Sequence, residues 1–409
     1  MNPQTVEFKN PFRPGAGHMP PYLAGREKDI KEFEKLLEQD IILDNMVLTG
    51  LRGVGKTVLL ETFKPLAIKK GWLWVGTDLS EAVSVSETML AVRLITDLSV
   101  VTSSILVSDQ KTIPAGFHGP QDQIHRKLDF TALSDLYEST PGLVGDKLKN
   151  ILEVVWTHLS QGQKRGVIFA YDEAQNLADT PAREQYPLSL LLDLFQSIQR
   201  KNIPLMLVLT GLPTLFPKLV EARTFAERMF RVVTLQKLSR SDSRKAIQEP
   251  IQKAKCPVEF SEESINVISD HSGGYPYFIQ FICREVYDVF IQQISAGEKV
   301  GVPIDAIIRK LDTDFFAGRW AKPTDRQRAL LRVIAMLDSS DGEFTVQEIV
   351  TKSEEVLTRS FGPSHVSQML ASLSELGLIY KNRYGKYSFA VPLFGQFILR
   401  QMQEGDLKN

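Results

Sequence analysis

The residues Gly50-Leu51-Arg52-Gly53-Val54-Gly55-Lys56-Thr57 carry the spacing Gly-x-x-x-x-Gly-Lys-Thr, and the chemistry of that spacing is phosphate binding. Glycines let the backbone curl until its N–H groups point inward at phosphate oxygens. Lys56 supplies a point charge for the outer phosphates, and Thr57 offers a hydroxyl to magnesium. A second set is Tyr171-Asp172-Glu173-Ala174, directly after the apolar run Val167-Ile168-Phe169-Ala170. A strand end at this point lets Asp172 hold magnesium directly or through water, and places Glu173 one residue on to polarise the attacking water. The general-base role needs Glu173 within one hydrogen bond of that water. Together the two sets describe a site for a nucleoside triphosphate and Mg2+, with Val58 continuing the loop.

The surrounding elements must put these groups in place. An apolar run over 46–49 reads as a buried strand and 58–63 as a helix with an apolar face, the strand-loop-helix order that the loop requires. Upstream, a Pro/Gly-rich arm (1–22) gives way to Leu23-Ala24-Gly25-Arg26-Glu27 and a helix to about residue 39. Downstream come a strand over 72–75, a long mainly helical stretch over 80–160, and strands over 167–171, 205–210 and 232–235 separated by helices. Within the helical stretch, Ile113-Pro114-Ala115-Gly116 and His118-Gly119-Pro120 mark an inserted loop, and His118 and His125 lack the spacing of metal ligands. Strands alternating with helices predict an α/β fold with a parallel sheet, spanning 23–238.

From 239 to 317 the pattern is that of a small helical lid, with Ser239 and Asp242 as a capping box and Gly273-Gly274 between two helices. The last unit, 318–409, starts a helix at a second capping box, Thr324 with Gln327. Its order is helix, Phe344-Thr345-Val346, helix, helix over 364–376, strand over 378–380, turn, strand over 387–389. That is the order of a winged helix-turn-helix.

Composition bounds what such a chain does. With 409 residues, 43% hydrophobic and 24% charged, it is an ordinary multidomain globular protein. Its formal net charge of -1 means that any nucleic-acid contact comes from a local patch. Cys256 and Cys283 are its only cysteines, which fits a reducing cytoplasm. Met1-Asn2-Pro3-Gln4 is no signal-peptide core, and apolar stretches such as 203–212 fall short of a membrane span, so no membrane association is expected.

Over roughly 23–397 the order of motifs resembles the AAA+ ATPases. The likeness is greatest to the initiator, origin-recognition-like branch and to the overlapping STAND-type ATPases with a C-terminal winged helix. The resemblance implies a P-loop sheet, a helical lid, ATP and Mg2+ as ligands, and self-association or a protein partner. It implies that Gly25 and Arg26 line the adenine pocket, and that Thr210, at the tip of the fourth strand, takes the sensor-1 position that contacts the γ-phosphate. Arg228, before the fifth strand, matches the arginine finger, with Arg231 as the competing choice. Gly273-Gly274-Tyr275-Pro276 departs from the initiator pattern, where an arginine is expected. It resembles instead the Gly-x-Pro motif of STAND ATPases, whose proline packs on nucleotide, and this implies slow hydrolysis. With no Asn-Lys-x-Asp guanine motif, ATP is favoured over GTP.

The function so implied is an ATP-binding, slowly hydrolysing switch that controls assembly on DNA. The alternative is a STAND-like signalling ATPase whose winged helix touches protein. For duplex DNA, Lys381, Arg383 and Lys386 in the wing, with Tyr384 and Tyr387, offer phosphate contacts. The recognition helix over 364–373 has no lysine or arginine, and only Ser364, His365, Ser367, Gln368 and Ser372 reach bases. A metabolic kinase, which also uses a phosphate loop, fits neither the lid nor the winged helix.

Overall fold

A computed structural model describes residues 9–15, 17–109, 124–162, 164–256, 258–297, 301–382 and 385–406. The expected loop around 113–120 with His118, and the wing residues Arg383 and Tyr384, lie outside the described residues. The chain divides into two compact units. One comprises residues 28–49 and 59–233, the other residues 1–27, 50–58 and 234–409.

The first unit is built on a parallel sheet. In chain order it contains α1 (Glu27–Leu36), β1 (Asn45–Thr49), α2 (Lys56–Lys69), β2 (Trp72–Val75), α3 (Glu87–Thr102), β3 (Leu106–Asp109), β4 (Ile124–Lys127), α4 (Phe130–Ser139) and α5 (Val144–Ser160). There follow β5 (Gly166–Tyr171), α6 (Pro187–Gln199), β6 (Leu205–Gly211), α7 (Leu215–Ala222), α8 (Ala226–Met229) and β7 (Phe230–Thr234). The strand order is β2-β5-β6-β1-β7. Every residue of β1, β5 and β6 is buried, which is why these strands read as unbroken apolar runs rather than as alternating ones. β6 runs parallel to both its neighbours, with Thr49 beside Gly211 and Tyr171 beside Leu209. The C-terminal ends of β1, β6 and β5 therefore share one edge of the sheet.

One stretch differs from expectation. Residues 80–160 are mainly helical, but β3 and β4 form an antiparallel hairpin inside them, with Leu106 opposite Lys127. Strands of four residues are too short to show a period distinct from the helices on either side.

The second unit is helical. It comprises α9 (Arg240–Ala254), α10 (Glu262–Ser272), α11 (Pro276–Ala296), α12 (Ile304–Leu311), a π-turn over Asp312–Phe316 and α13 (Ala317–Trp320). α14 (Asp325–Ala335), α15 (Val346–Val356), α16 (Pro363–Glu375), β8 (Ile379–Lys381), β9 (Tyr387–Phe389) and α17 (Phe394–Asp406) complete it. The side chains of Ser239 and Thr324 accept from the third residue of their helices, as a cap should. α14 to β9 have the order of a winged helix-turn-helix, and Phe344 adds a third short bridge through paired backbone bonds with Tyr387, 2.8 Å each. Tyr387, expected on the wing surface, is buried, as is every residue of β9.

α17 has no counterpart in the sequence expectations. It packs Phe394 and Phe397 against Phe316, which in turn meets Phe315 and Phe278 at ring separations of 5.0 and 5.9 Å. Helices α9 to α11 and the C-terminal elements thus share one hydrophobic core, and this aromatic cluster lies across residues 315–320. No helix among the described residues is long and apolar enough to cross a membrane.

Candidate nucleotide site

The phosphate loop belongs to the helical unit, and its shape is set mostly by backbone. Gly53 and Gly55 take φ of +78° and +93°, conformations that side chains rarely adopt. A Cβ on Gly55 would meet nothing within 4 Å, so its backbone faces an open cradle. On Gly53 a Cβ would lie 3.1 Å from Tyr277 Cβ, because the start of α11 arrives there. Tyr277 N donates to Gly53 O at 3.1 Å, so a free N–H at the start of α11 serves the loop. Pro276, the first residue of α11, stands beside that contact. Gly274, at φ +77°, lets its carbonyl accept from Leu238 N at 2.8 Å.

Side chains brace the same loop. Lys56 Nζ donates to the carbonyls of Gly50 and Leu51, each at 3.0 Å. Arg26 is 6% exposed, and its Nη2 donates to Val54 O at 2.8 Å and Gln236 O at 2.9 Å. Both of these bonds go to backbone, one in the loop and one after β7. Gly25 lies against the Asp242 carboxylate, and Gly17 of the arm lies against the Thr57 methyl, just before Val58. Arg52 reaches the turn at Gly377, after α16. Arg319, stacked 4.2 Å over the Phe315 ring, has its pKa lowered by burial and further by the charge of Arg52.

The sheet edge carries the other groups, all in the first unit. Asp172 is buried just beyond β5, and its Oδ1 accepts from Glu173 N at 2.8 Å. Glu173 is exposed and adopts the left-handed conformation, φ 51° and ψ 32°. Its carboxylate accepts from Gln175 Nε2. Thr210, in β6, is fully buried, and its Oγ1 has no hydrogen-bond partner among the described residues. Behind the edge, Tyr171 OH donates to Asp97 Oδ2 at 2.8 Å, and Asp97 also accepts from Arg93 Nε at 3.0 Å. Burial first, and Asp97 second, pushes the Tyr171 pKa well up, so the hydroxyl stays a donor.

Of the two arginines weighed as a finger, Arg231 pairs with Glu32 at 2.5 Å. Arg228, at the end of α8, is exposed and has no ion pair among the described residues. Sequence reasoning passed over Gln175, Asp97 and Lys218. No spacing signals them, since each acquires its role from a partner on another element.

The donor set fits magnesium with a triphosphate. Among the described residues no group of three or more His, Cys, Asp or Glu could hold a metal ion alone. Mg2+ needs no such cage, because it takes one or two carboxylates together with waters and substrate phosphates. Asp172 in the first unit and the Thr57 hydroxyl in the second are oxygen groups of that kind, and the backbone N–H groups of the loop around Gly55 suit phosphate. The buried, unpartnered Thr210 hydroxyl is a further group suited to a phosphate oxygen, since buried polar groups are otherwise nearly always bonded.

A family model described as a domain of unknown function (DUF8462) matches residues 313–398. No curated protein matches the sequence. Among solved structures, the Walker-type ATPase of Pyrococcus abyssi is similar at a TM-score of 0.56 and 16% identity, over 92% of this chain and 96% of that one. The ORC2 protein of Aeropyrum pernix in its ADP form is similar at a TM-score of 0.54 and 13% identity, over 95% and 97%. The same protein in ADPNP-ADP complexes gives 0.51 and 12%, over 95% and 98%. The chain shares its fold with these solved structures, an α/β arrangement built on a five-stranded sheet and continued by helices.

Proposed function

We propose that this protein is an ATP-driven switch of AAA+ type that binds MgATP, hydrolyses it slowly and controls assembly on DNA. The observation that carries the reading is the sheet order. β6 lies between β1 and β5, so Thr210, Asp172 and the C-terminal end of β1 at Thr49 share one edge. The similar ORC2 protein in ADP and ADPNP-ADP forms supports nucleotide as the ligand.

In this reading the residues from Gly50 to Val58 hold the phosphates, Thr57 and Asp172 hold the metal, and Gly25, Arg26 and Pro276 flank the nucleoside. Magnesium, when bound, neutralises charge on the phosphates and draws electrons from the bond that breaks. Glu173 takes the proton of the attacking water, and Thr210 donates to a phosphate oxygen. Arg228, exposed and without an ion pair, acts on the nucleotide of a second copy. The functional division is arm 1–22, nucleotide domain 23–238, lid 239–317 and winged helix 318–409. Two free thiols, Cys256 and Cys283, suit the cytoplasm.

A second reading, a signalling ATPase whose winged helix touches protein, is favoured by one observation. The exposed face of α16 presents Ser364, Ser367, Gln368 and Ala371 without a cation, and Lys386 in the wing faces Glu343 at 3.8 Å. Duplex binding measured across salt concentration separates the two. Contact with phosphates by about two wing cations predicts log affinity falling against log salt with a slope near -2. Undetectable or salt-independent binding, with and without ATP, leaves the protein-contact reading.

A further inference from the structure

Gln175 lies two residues past Glu173, in the 3-10 turn Ala174–Asn176, and belongs to neither phosphate motif. Both ends of its amide are engaged. Oε1 accepts from Leu212 N at 3.1 Å, the first residue after β6, and Nε2 donates to Glu173 Oε2. A backbone N–H can only donate, so the Leu212 bond fixes which end of the amide is oxygen and leaves the NH2 group for the carboxylate. The Gln175 carbonyl accepts from Lys218 Nζ of α7 at 2.8 Å, which anchors the turn to the segment following β6. Gly211 makes the approach feasible, since a Cβ there would sit 2.6 Å from Gln175 Oε1.

Glu173 itself is held in a left-handed backbone conformation that costs a non-glycine residue on the order of 1 kcal/mol, and such strain persists only where the surroundings impose it. We infer that Gln175 is a positioning residue for Glu173: it aims the carboxylate and couples that aim to the end of β6, where the buried Thr210 hydroxyl stands. A base oriented by a third group is the general logic of activated water and nucleophiles. Here that third group grips the strand tip next to Thr210, so a shift of β6 on contact with phosphate is passed to the base through Leu212 and Gln175. This rests on the reading of Glu173 as the general base.

The test is steady-state ATP hydrolysis and fluorescent ATP-analogue binding by the full chain, with melting temperatures recorded for each variant. Gln175→Ala lowers kcat about 10- to 100-fold, the scale of a misaimed catalytic group, while analogue affinity and KM stay within about twofold. Gly211→Ala, whose methyl displaces the amide without touching Glu173, gives a similar loss. The double variant is no slower than the slower single one, because both remove the same contact. Unchanged kcat in Gln175→Ala, a changed KM with unchanged kcat, or losses that multiply in the double variant overturn the inference. Should Gln175→Ala not fold, the kcat of Gly211→Ala decides alone. Glu173→Gln in the same assay separates the two levels. If it retains wild-type turnover, the base assignment fails; if it is inactive while Gln175→Ala is not impaired, only the role of Gln175 fails.

Discussion

The phosphate loop and the sheet edge are held in opposite ways. Loop geometry comes mostly from backbone groups: positive-φ glycines, the Tyr277 N–H on Gly53, and loop carbonyls that accept from the Lys56 and Arg26 side chains. Edge geometry comes from side chains of separate elements: Gln175 on Glu173, Asp97 on Tyr171, Lys218 on the turn. A backbone cradle suits binding, because N–H groups supply the same donors whatever the phosphate does next. A side-chain scaffold suits chemistry, because an aimed carboxylate has to be set and reset. The contrast predicts that edge variants lose turnover and keep affinity, and that loop variants lose affinity first.

The largest expected effect is on the edge. Glu173→Gln should lower kcat by about 10²- to 10⁴-fold, the usual worth of a general base, with ATP-analogue affinity unchanged. A fall in affinity of the same size would erase the contrast. Next comes the loop. In the proposed reading Lys56→Ala removes one charge-assisted contact to phosphate, about 1.5–3 kcal/mol, and should weaken ATP binding roughly 10- to 100-fold in an equilibrium titration. Unchanged affinity would mean that the cradle binds through its backbone alone.

The motifs that hold these two residues stand out in the sequence because they are contiguous, and β1, β5 and β6 were legible because full burial forces unbroken apolar runs. The cap at Ser239 and the capping box at Thr324 were legible because a cap and its partner lie three residues apart, although at Ser239 only the bond from Asp242 N, of the two that make a box, forms. Gln175, Asp97 and Lys218 were not. Tyr171 and Asp97 are 74 residues apart and meet only once α3 packs behind β5. Arg26 stood out in the sequence, but its donation to Val54 and Gln236 depends on the path of the loop and linker. The hairpin β3–β4 was missed because four-residue strands carry little periodic signal, whereas α17 was missed although Phe394, Phe397, Ile398 and Met402 recur at helical spacing. What sequence shows best is what backbone does.

The third prediction probes the support behind the edge. Tyr171→Phe removes the hydroxyl that Asp97 accepts from and leaves that buried carboxylate with Arg93 alone, so stability should fall by about 1–3 kcal/mol. Chemical denaturation measures this. Because the Tyr171 pKa lies well above its ordinary value, the hydroxyl keeps its proton below pH 10, and the loss should be the same at pH 7 and pH 9. A loss that disappears between those values would show that the bond is not formed by the protonated tyrosine.

The smallest effect tests whether the loop is as independent of side chains as its backbone suggests. Gly53 and Gly55 both sit at positive φ, so an alanine at either costs about 1–2 kcal/mol of backbone strain. Only at Gly53 does the new methyl also meet Tyr277, 3.1 Å away, at the point where the lid helix donates to the loop; at Gly55 it meets open space. Without nucleotide, Gly53→Ala should therefore be less stable than Gly55→Ala, by about the 0.5–1.5 kcal/mol of one hydrogen bond. Saturating ATP should bring the Gly53→Ala value no nearer to wild type, since the clash lies on the lid side of the loop. Equal stabilities for the two variants would mean that α11 rests on the loop without bearing on it, and that loop geometry is set by the glycines alone.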